Sequence, residues 1–398
     1  MKYLIFVGDG MADYSVPELG GKTPLEYANT PNMDYIASHG ICGTSLPTPP
    51  AMKPESDTAN LALLGYDPLV YSRGRSPLEA LSMGIDMSDT DTAIRCNIVT
   101  LSEEDVPYSE RRMIDHSAGE IDTPSARVLI DAVDKALGSD NRKFYCGLSY
   151  RHCLIWDDCP PTPDFARPHD IIGKTIGEYL PEDERFRSLM EKSWDVLEHH
   201  PLNEKRRGEN KKPANSIWLW SAGKKPALPS FSERFGLKGA AVAAVDLIKG
   251  IAICAGMDVI NVEGADGTPD TNYMGKANAA SRALEKYDFV FLHVEAPDES
   301  GHRGEPLTKV RSIESVDAML GSILEGFKKN ETDARVLFCC DHPTPVSRRT
   351  HTHDSIPFVI YDTKNEIGGK CRCYSENEAQ KGVNVTDGYK LIDILTEK

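Results

Sequence analysis

Four short stretches of the chain concentrate side chains able to hold a metal or attack a phosphate. Asp9 sits in Gly8-Asp9-Gly10, directly after the apolar run Tyr3 to Val7. Ser56 lies in Pro54-Glu55-Ser56-Asp57-Thr58-Ala59-Asn60, just ahead of the apolar residues Leu61 to Leu64. Asp298 and His302 share Asp298-Glu299-Ser300-Gly301-His302, soon after an apolar run ending at Val294. Asp341-His342 follows another such run, with His351-Thr352-His353-Asp354 further on. Taken singly, each has a plain explanation: Asp9 or Ser56 as a helix cap, a lone histidine as a surface or core residue. Taken together, three aspartates and three histidines near strand ends make an oxygen and nitrogen donor set for two ions. Such a set suits Mn2+, Mg2+ or Zn2+. Ser56, near a helix N-terminus, stands where N–H groups and the helix dipole favour an anion such as phosphate.

Residues this far apart in sequence meet only if the elements before them share one sheet. Tyr3 to Val7, Phe289 to His293, Val336 to Cys340 and Pro357 to Tyr361 are short apolar runs of the kind expected in buried strands. Helix-like segments at 271–286 and 308–328 alternate with them, which predicts an α/β fold with crossover helices and sites at strand ends. The middle, from 106 to 234, is richer in proline and charge and still holds strand-like pieces (Phe144 to Tyr150, Cys153 to Trp156, Ile217 to Trp220) and helix-like ones (171–180, 184–199). It is expected to be an inserted α+β domain, leaving 1–105 and 235–398 as the metal-binding core.

Several other chemistries lack their motifs. There is no G-x-G-x-x-G for a dinucleotide, no G-x-x-x-x-G-K-[ST] for a P-loop, and no G-x-S-x-G nucleophile elbow. With 45 Lys and Arg against 61 Asp and Glu, the 398-residue chain carries a net charge of −16. That balance argues against nucleic acid and anionic membrane as partners, while a local basic pocket still admits a small anionic substrate. The basic cluster Lys205, Arg206, Arg207, Lys211 and Lys212 is read as a solvated loop. Ten cysteines without a C-x-x-C pair are expected to be reduced thiols of a cytoplasmic protein. No run approaches the ~20 apolar residues of a membrane span, and MKYLIFVGDG is too short for a signal-peptide core. Oligomeric state is not legible, so a monomer is the default.

The set Asp9, Ser56, Asp298-x-x-x-His302, Asp341-His342 and His351 resembles the alkaline phosphatase superfamily, and more closely the cofactor-independent phosphoglycerate mutases of the archaeal type. Supporting segments are Leu63-Leu-Gly-Tyr-Asp-Pro68, Arg95-Cys-Asn97, Tyr150-Arg-His152, His169-Asp170, Asn215-Ser-Ile-Trp-Leu-Trp220 and the whole of His293 to His302. The resemblance implies an alkaline-phosphatase-like core with a cap. It implies one ion on Asp298, His302 and His351, with His353 as the alternative ligand. The other ion would take Asp9, Ser56, Asp341 and His342, with Mn2+ first among Mn2+, Mg2+, Co2+ and Zn2+. Ser56 would accept the phosphoryl group, with Lys276 near the phosphate. In the cap, Arg151 and His152, with His169 and Asp170, would hold the carboxylate and carry protons, Arg95 and Arg75 ranking below them. For Asp170 the alternative is a cap on a helix from Ile171. The implied reaction interconverts 3-phosphoglycerate and 2-phosphoglycerate. The alternatives are a phosphatase, or a phosphotransferase on another small metabolite of the kind proposed for a homoserine-kinase branch. The sequence departs from the archaeal pattern at Lys53-Pro-Glu, where smaller residues usually precede the serine.

Overall fold

The computed structural model describes residues 1–397, which divide into two compact units: 1–72 with 227–397, and 73–226. In chain order the strands are β1 (Lys2–Gly8), β2 (Ile41–Ser45), β3 (Thr92–Leu101), β4 (Met113–Asp115), β5 (Arg142–Tyr145), β6 (Arg151–Trp156) and β7 (Ser216–Lys224). They continue with β8 (Gly239–Val242), β9 (Asp258–Ile260), β10 (Phe289–Val294), β11 (Ala334–Cys339), β12 (Ile356–Asp362) and β13 (Val383–Val385).

The first unit is built on one eight-stranded sheet in the order β13-β2-β12-β11-β1-β10-β8-β9. β1 runs parallel to both neighbours, Val7 facing His293 on β10 and Cys339 on β11. The three strands therefore finish at one edge, and the residues that leave them (Asp9, Glu295, Asp341) are delivered together. Leu4, Ile5, Phe6 and Val7 of β1 are all fully buried, as an apolar strand covered on both faces requires. β12 is antiparallel to β11 and β2, so the sheet is mixed rather than wholly parallel. The expected helices form as Tyr273–Lys286 and Pro306–Lys329.

The second unit carries the sheet β4-β3-β6-β5, with β7 also paired to β3. Helices Thr123–Leu137 and Glu184–Leu197 start on Asp122 and Asp183, whose carboxylates accept from Ser125 N and Arg185 N. Their apolar faces join Trp218, Leu154 and Ile98 in one core.

Some boundaries differ from the sequence-based expectation. The first falls at residue 72 rather than 105, because β3 pairs with β6 and β7 along its length. The second falls at 226 rather than 234, since the helix Phe231–Phe235 belongs to the first unit. Residues 171–180 hold only 3-10 turns, Pro168–Ile171 and Gly177–Tyr179. The basic cluster is a helix, Pro201–Gly208, with its tail. Its charges are spent internally: Arg206 donates to Ala118 O, and Arg207 pairs with Glu198 and Glu204. Cys42 on β2 and Cys371 form a disulfide, with Cα atoms 6.4 Å apart, where reduced thiols were expected. A pairing across 329 residues has no signature in cysteine spacing. The other eight cysteines are free. No helix among the described residues is long and apolar enough to cross a membrane.

Candidate active site

The edge where β1, β10 and β11 end is lined with ligand-type side chains. Asp9 follows β1 directly and is fully buried, its N–H donating to Val294 O at 2.9 Å. Both Asp9 carboxylate oxygens lack a hydrogen bond. His293, the penultimate residue of β10, is equally buried, and its Nε2 stands 3.2 Å from Asp9 Oδ2 without the alignment of a hydrogen bond. After β11, Asp341 accepts from Asn60 Nδ2 at 2.8 Å and from its neighbour's amide, His342 N, at 2.9 Å. Gly10 N also donates to it, at 3.2 Å.

Ser56 is the first residue of the helix Ser56–Leu63. Its Oγ lies 3.1 Å from His342 Nε2, so the hydroxyl faces the cluster and not a helix N–H as a cap would. Asn60, one turn on, bonds both Ser56 O and Asp341, tying the helix to the strand end.

Asp298 and His302 share the short helix Ala296–Arg303 at i and i+4, which puts them on one face. His302 Nε2 is 3.2 Å from Asp298 Oδ2 and 3.0 Å from His351 Nε2. His351 Nε2 is 3.5 Å from Asp298 Oδ1, and its Nδ1 bonds the Pro54 carbonyl at 2.7 Å. The His351 ring stacks on His342 at 3.8 Å between centroids. His351 thus enters the cluster, whereas His353 is exposed.

Three groups offer ligand atoms within 4.8 Å of one another: Asp298, His342 and His351; Asp9, His293 and Asp341; Asp9, Glu295 and Asp298. A buried carboxylate with no donor is costly unless a cation compensates it. Asp9's oxygens and His293's nitrogens, none of which makes an aligned hydrogen bond, therefore fit bound divalent ions, and the absence of thiolates fits a hard or borderline one.

The charges within the cluster show the same strain. Burial, then Asp341, Glu295 and Asp298, push the Asp9 carboxyl well up. Asp298 is held well below the usual carboxylate range: burial opposes this, but hydrogen bonds from His302 and His351 prevail. The bond to Asp298 raises His302 to about 9. Burial lowers His293 to about 4 and lowers His342 as well.

Lys276, on the helix Tyr273–Lys286, is fully buried rather than a surface lysine. Its Nζ donates to Asp266 O at 3.3 Å, and burial brings it down to about 8 against the pull of Glu295 and Asp266.

The remaining candidates lie in the second unit. Arg151 is exposed, its guanidinium 5.1 Å from the Tyr150 ring centroid. His152 is buried on β6, its Nδ1 accepts from Gly147 N at 3.2 Å, and burial lowers it to about 3. Asp170 is exposed in a 3-10 turn, with no helix beyond it to cap, 3.7 Å from His169 Nε2. Arg95 is committed to Glu79 and to the Trp220 ring.

His293, Glu295 and Asn60 stood in segments the sequence singles out but were given no role, and Thr344 was passed over. His293 carried a signal, an imidazole inside the apolar strand Phe289–Val294; Thr344 carried none.

Residues 1–385 match the Metalloenzyme superfamily. The chain is 46% identical over 403 residues to a 2,3-bisphosphoglycerate-independent phosphoglycerate mutase of Methanosarcina barkeri, covering 100% of each chain. It is 45% identical over 403 residues to a probable enzyme of the same name from Geobacter sulfurreducens, again covering 100% of each. A solved structure from Pyrococcus horikoshii superimposes with a TM-score of 0.84 at 34% identity, covering 100% of this chain and 96% of that one. A cofactor-independent phosphoglycerate mutase from Thermoplasma acidophilum gives 0.69 at 28% identity, covering 100% and 99%.

Proposed function

Since the chain belongs to the Metalloenzyme superfamily and, within it, to the 2,3-bisphosphoglycerate-independent phosphoglycerate mutases, we propose that it interconverts 3-phosphoglycerate and 2-phosphoglycerate through a phosphoryl group carried on Ser56. The observation that carries this reading is the Ser56 hydroxyl, 3.1 Å from His342 Nε2 at the rim of a buried carboxylate and imidazole cluster. Asp298, His302 and His351 are assigned to one divalent ion; Asp9, Ser56, Asp341 and His342 to a second, with Mn2+ first among Mn2+, Mg2+, Co2+ and Zn2+. When bound, such ions make the serine hydroxyl more acidic and offset charge on the phosphoryl oxygens.

The chain's own groups do the rest. The Ser56 hydroxyl gives up its proton and its Oγ attacks phosphorus, and the bond from phosphorus to one glycerate oxygen breaks as the serine ester forms. The leaving oxygen takes up a proton. Glycerate turns, its other hydroxyl gives up a proton and attacks the same phosphorus, the bond from phosphorus to Oγ breaks, and Ser56 takes a proton back. No water, nucleotide or net proton is consumed. Lys276, cationic at neutral pH, is placed to offset charge on the transferring group. N–H groups at the start of the helix Ser56–Leu63 favour the same anion.

Water must be kept from the serine ester while glycerate turns, and the inserted unit is assigned that role. Arg151 is assigned to the substrate carboxylate, and His152, His169 and Asp170 to its positioning and to proton transfer. A small phosphorylated substrate is the partner implied, in the cytoplasm and with the chain as a monomer.

Purified protein with 3-phosphoglycerate, Mn2+ and neither 2,3-bisphosphoglycerate nor nucleotide should form 2-phosphoglycerate, and excess chelator should stop it. Full activity in chelator, or a requirement for ATP, overturns the reading.

A further inference from the structure

One buried hydroxyl touches a residue assigned to each of the two proposed ions. Thr344 Oγ1 donates to Asp298 Oδ1 and stands 3.3 Å from His342 Nδ1. With its proton directed to Asp298, the threonine oxygen is left to accept, which selects the His342 tautomer protonated at Nδ1. That leaves the lone pair of His342 on Nε2, the nitrogen turned toward Ser56 and Asp9.

Thr344 is fully buried and its backbone is pinned from both sides. Its N–H donates to Ala12 O at 3.2 Å, and its carbonyl accepts from Lys309 Nζ at 2.9 Å. Lys309 Nζ also donates to Ala12 O at 3.3 Å and to Asp13 Oδ2 at 2.7 Å, and the two side chains of this ion pair are 0% exposed. Asp13 in turn accepts from Val346 N at 3.1 Å. One buried ammonium thus joins the segment after Asp9, the segment after His342, and the helix Pro306–Lys329 that follows His302.

Buried ion pairs are weak stabilisers, since apolar residues of similar volume often do as well or better. The three donations of Lys309 are better explained by what they orient. We infer that Thr344, Lys309 and Asp13 are positioning residues that lock the tautomer of His342 and the carboxylate of Asp298, coupling the two halves of the metal site. This rests on the ligand assignment proposed above.

The test is calorimetric titration of Mn2+ into chelated, folded protein, with parent, Thr344→Val, Thr344→Ser and Asp13→Asn compared. The parent should take two ions. Thr344→Val should melt near the parent when metal-free yet bind both ions about 10–100-fold more weakly, the range seen when outer hydrogen bonds to ligands are lost. Thr344→Ser should restore tight binding. Asp13→Asn should weaken Mn2+ in the same direction, and adding it to Thr344→Val should cost less than the two single losses combined, because both act through one hydroxyl. Parental affinity in Thr344→Val overturns the inference while leaving the ligand assignment standing. Parental affinity in Asp13→Asn overturns the part given to the ion pair. A parent that binds no ion overturns the ligand assignment, and the inference with it.

Discussion

Gly10 sits where the chain leaves β1 and passes the metal-ligand cluster, with φ at +62°. A Cβ built there would lie 2.6 Å from Thr344 Oγ1, 2.7 Å from Asp298 Oδ1 and 2.8 Å from Asp298 Cα. Gly10→Ala therefore carries two separable costs. The left-handed backbone costs an alanine ~1–2 kcal/mol, and overpacking a well-filled site adds ~1–3 kcal/mol. Gly20, also left-handed at φ +70° but with nothing within 4 Å of its Cβ position, isolates the first cost. Thermal unfolding of the chelated protein should place Gly10→Ala below Gly20→Ala by the overpacking cost alone. At ~2–4 °C per kcal/mol for a unit of this size, that is a gap of several degrees. Gly10→Ala should also bind Mn2+ more weakly, since Asp298 must move to admit the methyl group, whereas Gly20→Ala should not. Equal melting of the two variants with unchanged Mn2+ affinity would refute the close packing at this edge.

Removing the ions should destabilise the first unit: each ion held at about 100 times its Kd contributes ~2.7 kcal/mol, so chelation should lower Tm and excess Mn2+ restore it. In metal-free protein His302, raised to about 9 by Asp298, contributes stability that is complete below its ordinary 6.5 and lost as pH rises through about 9. The stability gap between parent and His302→Gln should shrink across that window, and a gap that widens would contradict it; Mn2+ should abolish the imidazole titration seen by NMR. Lys276 loses its charge near about 8, so the KM for phosphoglycerate should climb above that pH, and Lys276→Met should weaken substrate binding and slow turnover while leaving Mn2+ affinity near the parent's.

Much of the site is legible because the chemistry sits at strand ends, and strand ends are what short apolar runs reveal. Asp9, Asp298 and Asp341 follow β1, β10 and β11, and a serine opening an apolar helix completes the set. The same runs say nothing about their partners. β3, interrupted by Arg95 and Asn97, is not among the plain apolar runs, and only its pairing with β6 and β7 reveals that it belongs to the second unit. Segment 171–180 is proline-free yet does not become an α-helix, and the disulfide joins positions too distant for spacing to suggest. Lys309 and Asp13 look like ordinary surface charges in sequence, whereas folding buries both.

The account turns on Ser56, and isotopically labelled phosphate tests it most directly. With labelled 3-phosphoglycerate, Mn2+ and no nucleotide, rapid quenching should trap label on a peptide containing Ser56. Label should then return to glycerate as 2-phosphoglycerate without mixing with free phosphate. Ser56→Ala should take up no label and lose mutase activity, while keeping its fold and its Tm in chelator. A Ser56→Ala protein that retains most of its activity, or a parent whose label passes to product without ever residing on Ser56, would contradict the account.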